Sequence, residues 1–305
     1  MNQTDHQFIP YPRDGRPRVG VVFPQIEFTG DAAELRRFAT SVEQMGYRHL
    51  LAYDHVLGAA AATRPNWTGT YTSDNPFQEP FALFGFVAAC APGLELASGV
   101  LILPQRQTAL VAKQAATVDF LSNGNLRLGV GIGWNRVEYE ALNETFGNRG
   151  RRLEEQIDVI RQLTSHDVID YTGRWHRIDR AGIRPLGVQR PIPIWIGGSA
   201  EKAIRRAARI ADGYMPNGTA LERVDQQLAI FRDELANQGR DERTVGIEAR
   251  VSIAKDDPDA WKRDLAHWIE AGLTHISLVT MGGGLRGTDA HLERFEAAMH
   301  VAESL

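Results

Sequence analysis

The stretch LELASGVLILPQRQTALVAKQAATVDFLSNGNLRLGVGIGW, Leu94 to Trp134, decides the fold. It reads as a strand, a short loop, a helix and a second strand, which is the unit of a parallel α/β sheet. Thr108 to Leu121 forms the Ala-rich helix, closed by Ser122-Asn123-Gly124. Both strands end on small residues, Ser98-Gly99-Val100 in one and Gly129-Val130-Gly131-Ile132-Gly133 in the other. Glycine at a strand end lets backbone approach a flat ligand, or take angles closed to other residues. The unit therefore signals binding as well as architecture.

The same alternation extends in both directions. Upstream, Arg18 to Phe23 is a strand stopped by Pro24, and Asp31 caps a helix in which Leu35, Phe38, Ala39, Val42 and Met45 recur until Gly46. Tyr47 to Tyr53 is strand two and delivers Asp54-His55 at its carboxyl end. A long loop from Val56 to about Phe77 follows, and connections of that length inside a domain are usually functional. Pro80 to Ala91 is helical, Leu94 to Leu103 is strand three and Leu126 to Val130 is strand four. Beyond the loop from Gly131 to Gly147, Arg151 to Leu163 makes an amphipathic helix. Arg149, Arg151 and Arg152 read as its solvated start.

Val168 to Ile178 suggests a small hairpin outside the repeat. Pro193 to Ile196 is strand five, and Gly197-Gly198-Ser199 leads into a helix reaching Ala211. Strands at Gly213 to Met215, Thr244 to Ile253 and His275 to Val279 alternate with helices at Leu221 to Gln238, Asp259 to Glu270 and the C-terminus. About eight strand-helix pairs fit a single (β/α)₈ TIM barrel over residues 18–305, with insertions in the βα loops. Residues 1–17 form a polar N-terminal arm.

Composition narrows the function. The 305 residues are 43% hydrophobic and 24% charged with net charge -4, so neither nucleic acid nor an anionic membrane is favoured as partner. Cys90 is the only cysteine, which excludes an intrachain disulfide and suits a reducing, cytoplasmic setting. Its alanine neighbours place it in the core. No apolar run approaches a membrane span.

A barrel collects reactive groups where strands end. Those ends are rich in glycine and poor in charge, with Trp134 and Trp195 near by, a lining that suits a planar, phosphate-bearing ligand better than a metal. Gly197-Gly198-Ser199 has two readings: a strand stop with Ser199 as helix cap, or free N–H groups offered to a phosphate. The run Gly129, Gly131, Gly133 fails as a dinucleotide fingerprint, because Trp134 stands where the third glycine belongs. Asp54-His55 is either a structural pair or an acid/base centre. His166, His176 and His267 lack the spacing and carboxylate company of a metal site.

Taken in order, several segments resemble one family, the luciferase-like flavin and deazaflavin oxidoreductases. They are Asp54-His55, Ser98 to Pro104, Ala115 to Gly124, Leu128 to Asn135 with Glu138 following, and Pro193 to Gly198 with Ala211-Asp212-Gly213 downstream. Tyr53 to Gly58 together with Val21 to Gln25 is most similar to the branch that uses the deazaflavin coenzyme F-420.

The resemblance implies a TIM barrel, a small organic substrate, a homodimer built around strands two and three, and F-420 as cofactor, with FMN as the alternative. It implies a non-prolyl cis peptide at Gly99–Val100 behind the cofactor ring, and Asp54 on the ring's polar edge. Gly131, Gly133, Asn135, Gly197, Gly198 and Ser199 would hold the ring's side chain and phosphate, while His55 and Trp134 would be the catalytic positions, His55 as proton donor. Relatives that oxidise a sugar phosphate carry a glutamate where this chain has Trp134, which argues for an apolar or conjugated substrate. Three functions follow: an F-420-dependent hydride-transferring oxidoreductase, an FMN-dependent monooxygenase, or a flavin-binding protein without turnover.

Overall fold

The strand Gly246–Ser252 shows how the architecture is specified. Ile247, Ala249 and Val251 belong to the main hydrophobic core, whereas the alternate residues Glu248 and Arg250 line a central cavity. A period of two therefore separates a helix-facing side from an axial side. The computed structural model describes residues 15–305; residues 1–14 of the expected arm lie outside the described residues.

In chain order the elements are β1 (Arg18–Val22), α1 (Ala32–Gln44), β2 (His49–Ala52), α2 (Pro80–Cys90), β3 (Glu95–Ser98), β4 (Leu101–Ile102), α3 (Thr108–Leu121) and β5 (Leu126–Gly131). They continue with α4 (Arg136–Ala141), α5 (Arg149–Ser165), β6 (Ile169–Thr172), β7 (Arg177–Ala181), β8 (Ile194–Gly197), α6 (Glu201–Ile210) and β9 (Gly213–Met215). The last are α7 (Leu221–Asn237), β10 (Gly246–Ser252), α8 (Pro258–Glu270), β11 (His275–Val279) and α9 (Gly287–Glu303).

The main sheet runs β3-β2-β1-β11-β10-β9-β8-β5-β4, and β3 also pairs with β5, so the sheet closes into a parallel eight-stranded TIM barrel. The hairpin β6-β7 stands apart from it as an antiparallel pair. Most of the core lies between barrel and helices. A second cluster, Val22, Leu51, Ala97, Trp195, Met215 and Val279, fills the barrel interior.

Strand three is not continuous. From Ala97 to Leu101 the chain advances four residues while its partner advances three, from Arg127 to Val130, so one residue is extra and the strand bulges. The Gly99–Val100 peptide inside this bulge is cis. After it the chain pairs only with β5, and Leu103–Gln105 tightens into a 3₁₀ turn. Gly99 is required there, since a Cβ at its position would overlap Leu51.

Several expectations are corrected. The loop after β5 contains α4, whose six residues are too few to show a period. Ser199 does not cap α6: Ala200 occupies that position and makes no side-chain cap bond. Cys90 is half-buried, because its face of α2 looks outward. Trp195 is fully buried below the cavity, with Arg127 4.3 Å above its ring centre, and it fits because Gly213 and Gly246 present no side chain to it. His176 and His267 each have a carboxylate neighbour, Glu155 at 2.8 Å and Asp225 at 3.1 Å. Among the described residues no cluster of three or more ligands could hold a metal, and no helix is long and apolar enough to cross a membrane.

Candidate active site

The carboxyl ends of the strands open into one cavity of about 520 Å³. The bulge supplies Gly99, Val100 and Ile102, and β5 with its loop supplies Gly131, Ile132, Gly133 and Trp134. Gly197, Gly198, Ser199 and Ala200 come from the turn into α6, and Asp54 and His55 from the end of β2. Of the sequence-predicted site residues, only Asn135 falls outside this wall. Its side chain caps α4 at Val137 N (3.2 Å), which leaves it buried and facing a second, 280 Å³ cavity.

Val100 is the point on which two glycines converge. A Cβ at Gly131 would lie 2.5 Å from Val100 Cγ2, and one at Gly197 would lie 2.6 Å from Val100 Cγ1. Three strand ends therefore press one side chain into the cavity floor. Gly198, with φ of +146°, turns the chain away from β8 in a conformation that side-chain-bearing residues rarely adopt.

Asp54 lines the cavity but is not free. Oδ2 accepts from Ile102 N (2.9 Å) and from Arg106 Nε (3.3 Å), and Oδ1 accepts from Arg106 Nη2 (2.7 Å). Burial raises its carboxyl above the usual range, against the pull of Arg106. The geometry makes Asp54 a brace between β2 and β4 and leaves it little capacity to bind a ring edge.

His55 is walled by aromatic rings: Phe77 at 4.9 Å, Tyr71 at 5.0 Å and Trp134 at 5.8 Å between centres. Its Nδ1 lies 3.5 Å from Glu138 Oε2, and its ring lines both cavities. Burial would raise the Glu138 carboxyl, but His55, Val56 N and Gln105 outweigh it and hold the group below its ordinary value. Trp134 is 42% exposed and packs 5.8 Å from Trp67. Gly69 sits against both indoles, where a Cβ would overlap them.

Two cations in the wall have no carboxylate partner among the described residues. Arg149, expected to be solvated, is half-buried on Phe146 at 3.6 Å, bonds only Phe146 O, and keeps a buried Nε without a partner. Arg152, also expected in solvent, is buried and paired with Glu144. Arg250 donates to Pro216 O (3.1 Å), Asn217 Oδ1 (3.0 Å) and the Tyr53 hydroxyl (3.3 Å). By contrast Glu248, deeper in the wall, is neutralised by Arg127. The uncompensated charge of the cavity is thus positive, which suits an anionic ligand group.

The profile of the luciferase-like monooxygenase family matches residues 8–303. The chain belongs to the luciferase-like monooxygenase family. This family comprises oxidoreductases that use a flavin-type cofactor.

Relatives of this luciferase-like protein include an uncharacterized Mycobacterium tuberculosis protein, 34% identical over 63% of this chain and 67% of the relative. An FMNH(2)-dependent dimethylsulfone monooxygenase from Pseudomonas fluorescens is 31% identical over 77% of this chain, but the match spans 61% of that longer protein. Among solved structures, an F-420-dependent secondary alcohol dehydrogenase bound to an F-420-acetone adduct superposes with a TM-score of 0.76 at 14% identity, covering 94% of this chain and 99% of that one.

Sequence reasoning left four groups without a role, Arg149 and Arg250 in the cavity wall and Arg106 and Glu138 behind it, bonded to or facing wall residues. A signal existed for Arg250, since Glu248 and Arg250 alternate with apolar residues and had to face the barrel axis. No comparable signal marked Arg106, whose partner Asp54 comes from another loop.

Proposed function

We propose that the protein is an oxidoreductase that passes hydride between coenzyme F-420 and a small organic substrate, with His55 moving the accompanying proton. The observation that carries this reading is the floor of the cavity, where the Val100 side chain stands against the glycine backbone at Gly131 and Gly197 and together they form the bed. A planar tricyclic ring fits such a bed. When bound, the deazaflavin would supply the hydride chemistry, and the protein supplies position and electrostatics.

Residues of this chain divide the remaining tasks. Val100 would support the ring from below, and the N–H groups of Ser199 and Ala200 with the positive end of α6 would take the phosphate, while the Gly198 N–H is spent on Met215 O. Arg149 adds a guanidinium to the wall of the same cavity. Tyr71, Phe77 and Trp134 keep water from the His55 ring, and with Trp67 they favour an apolar or conjugated substrate. The exposed Leu110, Phe120 and Leu121 of α3, beside α2, suit the homodimer contact suggested by the family resemblance.

A second reading, an FMN-dependent monooxygenase, draws support from the 31% identity to the dimethylsulfone enzyme. Equilibrium titration of the purified protein with F-420 and with FMN decides between them. Saturable F-420 binding with substrate-dependent bleaching supports the first reading; tight FMN binding with oxygen consumption and no affinity for F-420 overturns it. Binding of either cofactor without turnover of any substrate would leave a carrier protein.

A further inference from the structure

We propose that Glu138 is the positioning residue of His55: it fixes the imidazole in the tautomer with the proton on Nδ1, leaving Nε2 as the atom that exchanges a proton with substrate. This rests on the reading of His55 as proton carrier. It adds a residue to which the sequence assigned no role.

Four contacts converge on the Glu138 side chain, which is 1% exposed. Oε1 accepts from Val56 N at 2.6 Å and Leu57 N at 3.2 Å, the two amides that follow His55 in the chain. Oε2 accepts from Gln105 Nε2 at 3.2 Å and faces His55 Nδ1 at 3.5 Å. One carboxylate from α4 thus grips both the backbone beyond His55 and the ring of His55 itself. Ionised, it has no proton to give, so a hydrogen bond to the ring requires the hydrogen on Nδ1. A separation of 3.5 Å is a loose contact, of the kind that tightens when ligand closes a site.

No other polar group competes for the ring. Its faces and edges meet Phe77, Tyr71 and Trp134, and Nε2 makes no hydrogen bond among the described residues. The imidazole therefore stands in the partition between the 520 Å³ and 280 Å³ cavities with one nitrogen held and the other open. Gln105 keeps Glu138 in place while its own buried Oε1 has no partner. An amide at position 138 could satisfy that oxygen and turn its own carbonyl away from His55. Glu138→Gln is thus a substitution of equal shape that removes the acceptor shared by His55 and Gln105 while keeping a carbonyl for Val56 N and Leu57 N.

The test reads the ring nitrogens directly. Long-range ¹⁵N–¹H correlation spectra at alkaline pH are recorded on cofactor-free wild type, Glu138→Gln and Glu138→Asp, with His55→Gln identifying the His55 signals. The expected result is an Nδ1–H ring in wild type, an Nε2–H ring in Glu138→Gln, and recovery of Nδ1–H in Glu138→Asp. In the cofactor-loaded enzyme, Glu138→Gln should lower kcat roughly tenfold or more, within what acid–base catalysis contributes, while the cofactor Kd stays unchanged.

An Nε2–H ring in wild type overturns the proposal whether or not the variants fold. So does an unchanged tautomer in a folded Glu138→Gln protein, which would leave Glu138 as a loop clamp that affects only stability. Failure of wild type to bind F-420 or FMN would defeat the proposed function instead, and would leave the tautomer result standing.

Discussion

Arg106 Nη2 lies 2.7 Å from Asp54 Oδ1, and Nη1 of the same guanidinium reaches Glu79 at 2.9 Å, so the carboxylate at the end of β2 is paired within the protein itself. Asp54 in turn holds Ile102 N, and through it the strand beyond the bulge. Truncating Arg106 would strand a buried charge, and losses of this kind run to about 3–5 kcal/mol. Arg106→Met should therefore lower the urea midpoint strongly. The double variant Arg106→Met/Asp54→Asn should lose less than the sum of the two single variants. Additive losses in that double-mutant cycle would show that the pair does not act as a unit.

Acid should weaken the barrel in two stages. At its base Arg127 pairs with Glu95 and Glu248, close to His49 and His275. Burial, with help from Arg127, lowers the His275 ring from 6.5 to about 4. Between those values the unfolded chain binds a proton that the folded chain refuses, so stability falls as pH drops from 6.5 toward 4. Burial would raise Glu248 and Glu95, but Arg127 together with the neighbouring His49 and His275 outweighs it and holds both below their ordinary range. Below about 4.5 they add a second loss of the same sign. Chemical unfolding across this pH series should show both stages, and His275→Gln should flatten the upper one; an unaltered upper slope would place its origin elsewhere.

The bed under Val100 leaves no room for a methyl group. In Gly131→Ala or Gly197→Ala the new Cβ meets Val100 at about the 2.5 Å or 2.6 Å separations given above, and the valine must move into the cavity. Cofactor affinity should drop about tenfold or more, equivalent to roughly 1.4 kcal/mol, with a smaller change in thermal midpoint. Gly198→Ala is a poorer probe, since φ of +146° penalises any side chain there and mixes folding with binding. Unchanged titration curves for both alanine variants would remove the bulge from the binding site.

Trp134 is nearly half exposed, so little of its packing is lost on truncation and Trp134→Ala should unfold within about 1 kcal/mol of wild type. Its effect should appear in KM for apolar substrates, rising several-fold with a smaller change in kcat, the pattern of lost uniform binding. A fall in kcat at constant KM would instead assign the indole to the reacting step.

What the sequence discloses here follows the range of each interaction. β11 was legible to the residue because the alternation of Ile276 and Leu278 with His275 and Ser277 is a local property. The cis peptide at Gly99–Val100 was legible only through the family resemblance, whereas the strand pattern itself suggested an unbroken strand from Leu94 to Leu103. The partners of Asp54 and His55 were not legible, since Arg106 and Glu138 come from other βα loops and meet them only once the barrel closes. Arg149 and Arg152 misled for a related reason: a charged helix start looks solvated until an aromatic ring and an acid from the preceding segment, Phe146 and Glu144, cover it.

The break after Ser98 has one more consequence. Where the main chain of strand three parts from β2, the cask has a seam, and a side chain serves as the rivet across it, Asp54 to Ile102. The long segment that begins at His55 leaves the wall at that seam, on the margin of the hydrogen-bonded staves. A change in the length of this stretch therefore leaves the hydrogen-bonded ladder of the cylinder intact, since none of its residues belongs to a barrel strand.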